Sequence, residues 1–184
     1  MIYHSGSIFW TPSYHCGMLA CEDDSSPLTL AVKEGNVDAV KDLVGLGADV
    51  NGMDESSFTP IVRAVQENHV DVIRTLVALG ADVNCTVCGG ATPAHFAAYS
   101  GFNDSIRALG ELGADLCAID SNGSTPAFMA AQNGHEASIR ALAELGADLN
   151  MADSDGDTPA FMAAQEGHET SLRVLAEVGA DLNI

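Results

Sequence analysis

Cys85 and Cys88 form the one Cys-x-x-Cys pair in the chain, and no other motif in the sequence carries as much chemistry. Two thiols at this spacing supply half of a structural zinc site, because zinc takes four ligands. Cys117 and His95 are the residues that could extend the set. Redox use needs a helix N-terminus to lower the thiolate pKa, and the pair falls in a loop instead. His4, His15, Cys16 and Cys21 form a looser cluster whose spacing matches no ligand pattern. That stretch reads as a capping or disordered segment, in which Ile8, Phe9, Trp10, Met18 and Leu19 could cover an apolar end. No Ser-His-Asp set, isolated carboxylate pair or Gly-rich phosphate loop is present. Gly-Ser-Thr at 123–125 and Gly-Asp-Thr at 156–158 read as turn-plus-cap segments. No catalytic residue, cofactor-binding residue or metal ligand is therefore assigned, and a thiol-based metal or redox switch is the weakest of the readings.

The elements that must position these residues repeat. Ser26-Pro27, Thr59-Pro60, Thr92-Pro93, Thr125-Pro126 and Thr158-Pro159 recur every 33 residues, as do the Gly-Ala-Asp triplets that begin at Gly47, Gly80, Gly113, Gly146 and Gly179. Residues 120–151 and 153–184 agree at 24 of 32 positions, so the last two copies are near duplicates. His69, His135 and His168 share one repeat position, which marks them as structural.

The physics of the unit is plain in the fourth copy. Thr125 caps a helix that opens on Pro126, where a missing N–H costs nothing. Ala127 to Ala131 are apolar all round, so this helix must be sandwiched between neighbours. Gly134 stops it. A second helix follows with Ile139, Leu142 and Ala143 on one face and Ser138, Arg140 and Glu144 on the other, and Gly146 ends it. Asn150, Asp120 and Asn122 then supply local side-chain to backbone hydrogen bonds in a turn-rich connection. One such pair cannot bury its own apolar faces, whereas five stacked pairs can. The 27 alanines and 5% aromatic content suit helices that approach closely.

Thr92-Pro93-Ala94-His95-Phe96-Ala97-Ala98, Gly134-His135 and Gly-Ala-Asp-Val-Asn at 80–84 resemble the ankyrin repeat. The resemblance covers 21–184 as units 21–53, 54–86, 87–119, 120–152 and 153–184, preceded by an N-terminal segment, 1–20. It implies an all-α solenoid of helix-turn-helix units joined by β-hairpin-like loops, with no catalysis of its own. It also implies that His95 ties neighbouring repeats by hydrogen bonds. Thr29, Val62, Phe128 and Phe161 stand at that position elsewhere, so those junctions are expected to rely on apolar packing. The first copy is the most divergent.

In such arrays partners dock in a groove formed by loop tips and first helices. Carried over by position, the groove comprises Glu55, Ser56, Phe58, Gln66 and Glu67, then Cys88, Ala91, Tyr99 and Ser100. Ser121, Asn122, Ser124, Gln132 and Asn133 follow, then Ser154, Asp155, Asp157, Gln165 and Glu166. Phe58 and Tyr99 are its only aromatics and are the expected energetic anchors. Alternatively, Phe58 folds back over a loop and Tyr99 covers Phe102.

Charge narrows the partner. Seven Lys plus Arg against 26 Asp plus Glu give a net charge of −19. That excludes nucleic-acid binding and anionic membrane surfaces, both of which need cations. No segment approaches the apolar length of a membrane span. Lys41, Arg74, Arg107, Arg140 and Arg173 share one repeat position, each with acids three or four residues away: Asp38, Asp71, Asp104, Glu136 and Glu169 before them, Glu111, Glu144 and Glu177 after. They read as pairs within each second helix, leaving the surplus acid on loops and groove. The expected partner is a basic protein, met at a rate that salt reduces.

Five cysteines without a secretory signal favour a reducing compartment, cytosol or nucleus. The last copy keeps Phe161, Met162, Leu172 and Leu175 where a terminal cap would carry polar residues. A longer array, or self-association through this face, is the expectation. A competing reading makes the chain a regulatory or targeting segment of a larger enzyme, channel or ubiquitin-ligase subunit.

Overall fold

The computed structural model describes residues 26–182, so the N-terminal segment 1–20, its His and Cys cluster and Cys21 lie outside the described residues. Ten helices follow in pairs: α1 (Pro27–Lys33) and α2 (Val37–Gly45), α3 (Pro60–Gln66) and α4 (Val70–Ala78), α5 (Pro93–Tyr99) and α6 (Asn103–Glu111), α7 (Pro126–Gln132) and α8 (Glu136–Glu144), α9 (Pro159–Gln165) and α10 (Glu169–Glu177). First helices pack chiefly on first helices of adjacent pairs and on their own second helix; second helices do likewise. The result is a two-layer all-α solenoid. The connections are turns, with no strand among the described residues.

Every first helix opens on proline. The Oγ of Ser26, Thr125 and Thr158 accepts the amide three residues on, at 3.2 Å each, as a cap should. Thr59 instead meets the thiol of Cys85, at the end of its own unit, at 3.2 Å. Ala97, Ala98, Ala130 and Ala131 are fully buried where first helices approach one another, and Ile73, Leu76, Ile106, Leu109, Ile139 and Leu142 fill the seam between layers.

Junctions between repeats use recurring polar contacts. The Nε2 of His69, His135 and His168 lies 3.0, 2.9 and 2.9 Å from the carbonyls of Lys33, Tyr99 and Gln132 at the ends of the preceding first helices. The ring rests against a glycine: a Cβ on Gly134, where φ is +72°, would lie 2.7 Å from His168 Nδ1. At the junction of the second and third repeats both partners change together. Asn68, with φ of 54°, stands at the glycine position, and Phe102 stands at the histidine position. Asn68 Oδ1 then accepts from the Ser105 hydroxyl at 2.7 Å.

Three expectations need correction. Ser138 is not on a polar face: it and Ser171 are fully buried without a hydrogen-bond partner. They occupy the position of Ser105, but the residue opposite is a glycine with no side chain to offer. The arginines do not chiefly pair within their own helices. Arg74, Arg107 and Arg140 reach Glu111, Glu144 and Glu177 of the following repeat at 2.6, 2.6 and 2.5 Å. Only the ends turn inward, Lys41 to Asp38 at 3.8 Å and Arg173 to Glu169 at 2.9 Å. Lys41 does so because Ala78 stands where the later repeats carry glutamate. Asn150, finally, is not a local turn residue: its Oδ1 accepts the Asp181 amide 2.7 Å away on the next repeat. Asn51 and Asn84 do the same for Asp82 and Asp115, at 2.8 Å each, and their Nδ2 groups donate to the carbonyls of Gly80 and Gly113.

Candidate functional site

The turn tips and first helices form the face on which the sequence placed the binding residues. In the second, fourth and fifth repeats one aspartate builds the tip. Oδ1 of Asp54 accepts the amides of Ser56 and Phe58, that of Asp120 the amides of Asn122 and Ser124, and that of Asp153 the amides of Asp155 and Asp157, all between 2.8 and 3.0 Å. Val87 stands at this position in the third repeat, and the tip becomes a 3-10 turn, Cys88–Gly90, with both glycines at positive φ. Successive tips also touch: the amide of Ser121 donates to Gly89 O at 2.7 Å and that of Ser154 to Asn122 O at 2.9 Å.

What the second oxygen of each aspartate meets differs. Asp54 Oδ2 binds Arg63 Nε at 2.6 Å, with both side chains largely buried. Burial alone would raise the Asp54 pKa; the Arg63 guanidinium and the Phe58 and Ser56 amides outweigh it and hold the carboxyl below its ordinary value. Arg63 Nη1 also donates to Gln66 Oε1 at 3.0 Å, and its guanidinium lies 4.6 Å above the Phe58 ring. In the fourth repeat Met129 replaces the arginine, and Asp120 Oδ2 is buried without a partner. At the fifth tip burial, then the Asp153 and Asp155 carboxylates, push the Asp157 pKa up.

Phe58 is therefore not an exposed anchor. It is 6% exposed, and its ring meets Phe96 edge-on at 5.6 Å. The side chain completes the junction to the next repeat rather than waiting for a partner. Tyr99, 37% exposed, does face solvent. It lines a cavity of about 200 Å³ with Gln66, Ala91 and Ser100. His95, Phe96 and Met129 complete the walls, and sequence reasoning had not marked these three as groove residues. A register comparison of Phe58 with Ala91 carried the missing signal. Of the other candidates, Glu55, Glu67, Asn122, Asp155, Gln165 and Glu166 are exposed along the face, and Gln132, Asn133 and Asp157 are half-buried. They share the face but no single pocket.

His95 is itself a junction residue. Its Nδ1 accepts the Thr92 amide at 3.1 Å, so Nε2 carries the proton and donates to Ser124 O of the next repeat at 2.9 Å. Burial lowers its pKa, and the Ser124 carbonyl and nearby Asp120 and Asp115 offset this only in part. The junctions at Val62 and Phe128 bury those side chains instead, as expected.

With both ring nitrogens engaged, His95 cannot complete a metal set. Cys117 Sγ accepts the Asp148 amide at 3.2 Å, filling the role that asparagine plays at other junctions. Burial raises the Cys85 thiol pKa, opposite to the shift a reactive thiolate requires. Among the described residues no group of three or more His, Cys, Asp and Glu could hold a metal ion, and no helix is long and apolar enough to cross a membrane.

A family model described as ankyrin repeats (3 copies) matches residues 11–87, 28–120 and 95–184. The chain belongs to the ankyrin repeat family. No curated protein matches it. Ankyrin repeats are generally protein-interaction modules and typically non-catalytic.

Proposed function

We propose that this ankyrin array is a non-catalytic binding module whose turn tips and first helices receive a basic segment of a protein partner. The observation that supports it is the distribution of charge. Glu55, Glu67, Asp155 and Glu166 are exposed on that face, while the first helices carry two cations, Lys33 at the end of α1 and Arg63, which is already held by Asp54 and Gln66. The arginine ladder lies on the second helices and is engaged with glutamates. A basic partner is thus attracted by acids that no internal cation neutralises. Titration of a basic binding partner, captured on the immobilised protein, should give a dissociation constant that rises steeply between 50 and 500 mM salt. Affinity indifferent to salt would remove the basic-partner reading.

The junction contacts also bear on self-association. The last repeat offers Arg173 and an uncovered Gly167 to whatever stacks on it. The first repeat of a second copy would bring Asn36 and Gly45 where internal junctions bring histidine and glutamate. Head-to-tail stacking of two copies therefore lacks two of the recurring polar contacts. Light scattering across a hundredfold concentration range should return the monomer mass; growth of a larger species would restore self-association through this face.

A further inference from the structure

The cavity beside Tyr99 lies where the third repeat carries alanine at the position that Phe58 fills in the second, a position held by serine or aspartate in the other units. Phe58 is the fifth residue of the second unit, and its ring packs edge-on against Phe96, the tenth residue of the third. One repeat later the fifth residue is Ala91 and the tenth of the following unit is Met129. Both line the cavity. The space is thus the place a phenyl ring would occupy if the third repeat copied the second, with a thioether where Phe58 meets a ring. At about 200 Å³ it exceeds the ~150 Å³ apolar cavity that is known to admit benzene. Tyr99 replaces the glutamine found at this position in the second, fourth and fifth repeats and adds an aromatic wall. A ring there gains a sulfur contact from Met129 and an aromatic contact from Phe96.

We propose that this cavity is a socket for one phenylalanine side chain of the partner, supplied by an extended segment with basic residues on either side. The inference rests on the binding-module reading above and adds the residue that fixes register on the face. The exposed acids of the face lie to the two sides of the socket at unequal range: Glu67 just beyond Gln66, and Asp155 farther off on the tip of the fifth repeat. The pattern of the second repeat, where a guanidinium rides over the Phe58 ring while held by Asp54, shows the chemistry in miniature. The socket supplies the ring's contacts, and the partner's own flanking cations meet the acidic rim.

The test uses the full chain and a fluorescein-labelled peptide, Lys-Arg-Gly-Phe-Gly-Arg-Lys, with a second peptide in which alanine replaces the phenylalanine. Fluorescence anisotropy should show the alanine peptide binding about tenfold or more weakly to the wild-type chain, as loss of a central aromatic anchor does. Ala91→Phe fills the socket from within. It should weaken the phenylalanine peptide to the level of the alanine peptide and leave the latter unchanged. Tyr99→Ala, at an exposed position, should weaken the phenylalanine peptide selectively and serves if Ala91→Phe proves misfolded by circular dichroism. Equal affinity of the two peptides for the wild-type chain, or no binding of either, overturns the socket. The two readings separate through Glu67→Lys with Asp155→Lys. If that double variant weakens both peptides while Ala91→Phe weakens neither, the acidic face stands and the socket falls.

Discussion

The third and fifth repeats occupy equivalent places in the same frame, yet they solve it differently. The fifth, a near copy of the fourth, has an aspartate-built tip, a phenylalanine at the position of His95 and a histidine seated on the glycine of the repeat before. The third has Val87 and a 3-10 turn at the tip, His95 bridging to Ser124, Phe102 in place of the seated histidine and Cys117 in place of the bridging asparagine. One departure is matched by a change in its neighbour: Asn68 replaces the glycine where Phe102 replaces the histidine, and Asn68 then takes up the Ser105 hydroxyl. Ala91, small where the second repeat carries Phe58, has no such compensation and lines a cavity. A repeat array therefore accommodates divergence where neighbours change in pairs, and an unmatched change leaves an open space or an unpartnered polar atom.

The largest effect that would break this comparison is at the seated histidine. Gly134→Ala and Gly167→Ala place the same Cβ at φ of 72° and 76°, but only the first would overlap a histidine ring. Gly167→Ala should cost about 1 kcal/mol for the left-handed backbone alone, and Gly134→Ala about 3 kcal/mol. Urea unfolding measures both; equal losses would mean that the ring does not fix the junction. Next comes the tip. Asp54→Asn should destabilise at pH 7 by about 2 kcal/mol, whereas Asp120→Asn, whose Oδ2 meets no partner, should be neutral or stabilising. Because the folded Asp54 pKa is lowered, its stabilisation is present above the ordinary carboxyl value of 3.8 and is lost as pH falls below it. The gap between wild type and Asp54→Asn should close in that window.

A smaller effect is expected from His95→Phe, which copies the fourth and fifth repeats at the third. It should cost about 1 kcal/mol at pH 7 for the Ser124 contact. The folded His95 pKa lies below the ordinary 6.5, so the wild type should lose stability as pH drops beneath that value and the variant should not. Denaturation midpoints at pH 7 and 5 compare the two. Smallest of all, Cys117→Asn should stabilise by about 0.5 kcal/mol, since asparagine accepts from Asp148 more strongly than sulfur does and can also donate to Gly146 O as Asn84 does to Gly113 O.

Most of the fold was legible because proline, glycine and the 33-residue register fix local conformation, and local conformation leaves one way to stack. The groove was legible as a list of positions, and Gln66 and Tyr99 do meet there. Phe58 was misplaced because a sequence cannot say whether an aromatic at a loop tip turns outward or onto the next repeat. The arginine ladder was misassigned for a similar reason. Residues four apart on a helix and residues on adjacent stacked helices both come within ion-pair reach, and only the spacing of the stack decides between them.

By itself, then, the sequence determined the repeat, the helix boundaries, the apolar stripes and the surplus of negative charge, all of which follow from residue type and local geometry. The tertiary structure decided what depends on distance between units 29 to 38 residues apart. It set which arginine meets which glutamate, which histidine sits on which glycine, which buried serines and which carboxylate oxygen go unpartnered, and that Ala91 opens onto Met129. These outcomes turn on gaps of an ångström or two between side chains in different repeats, and such gaps are fixed only when the repeats are packed.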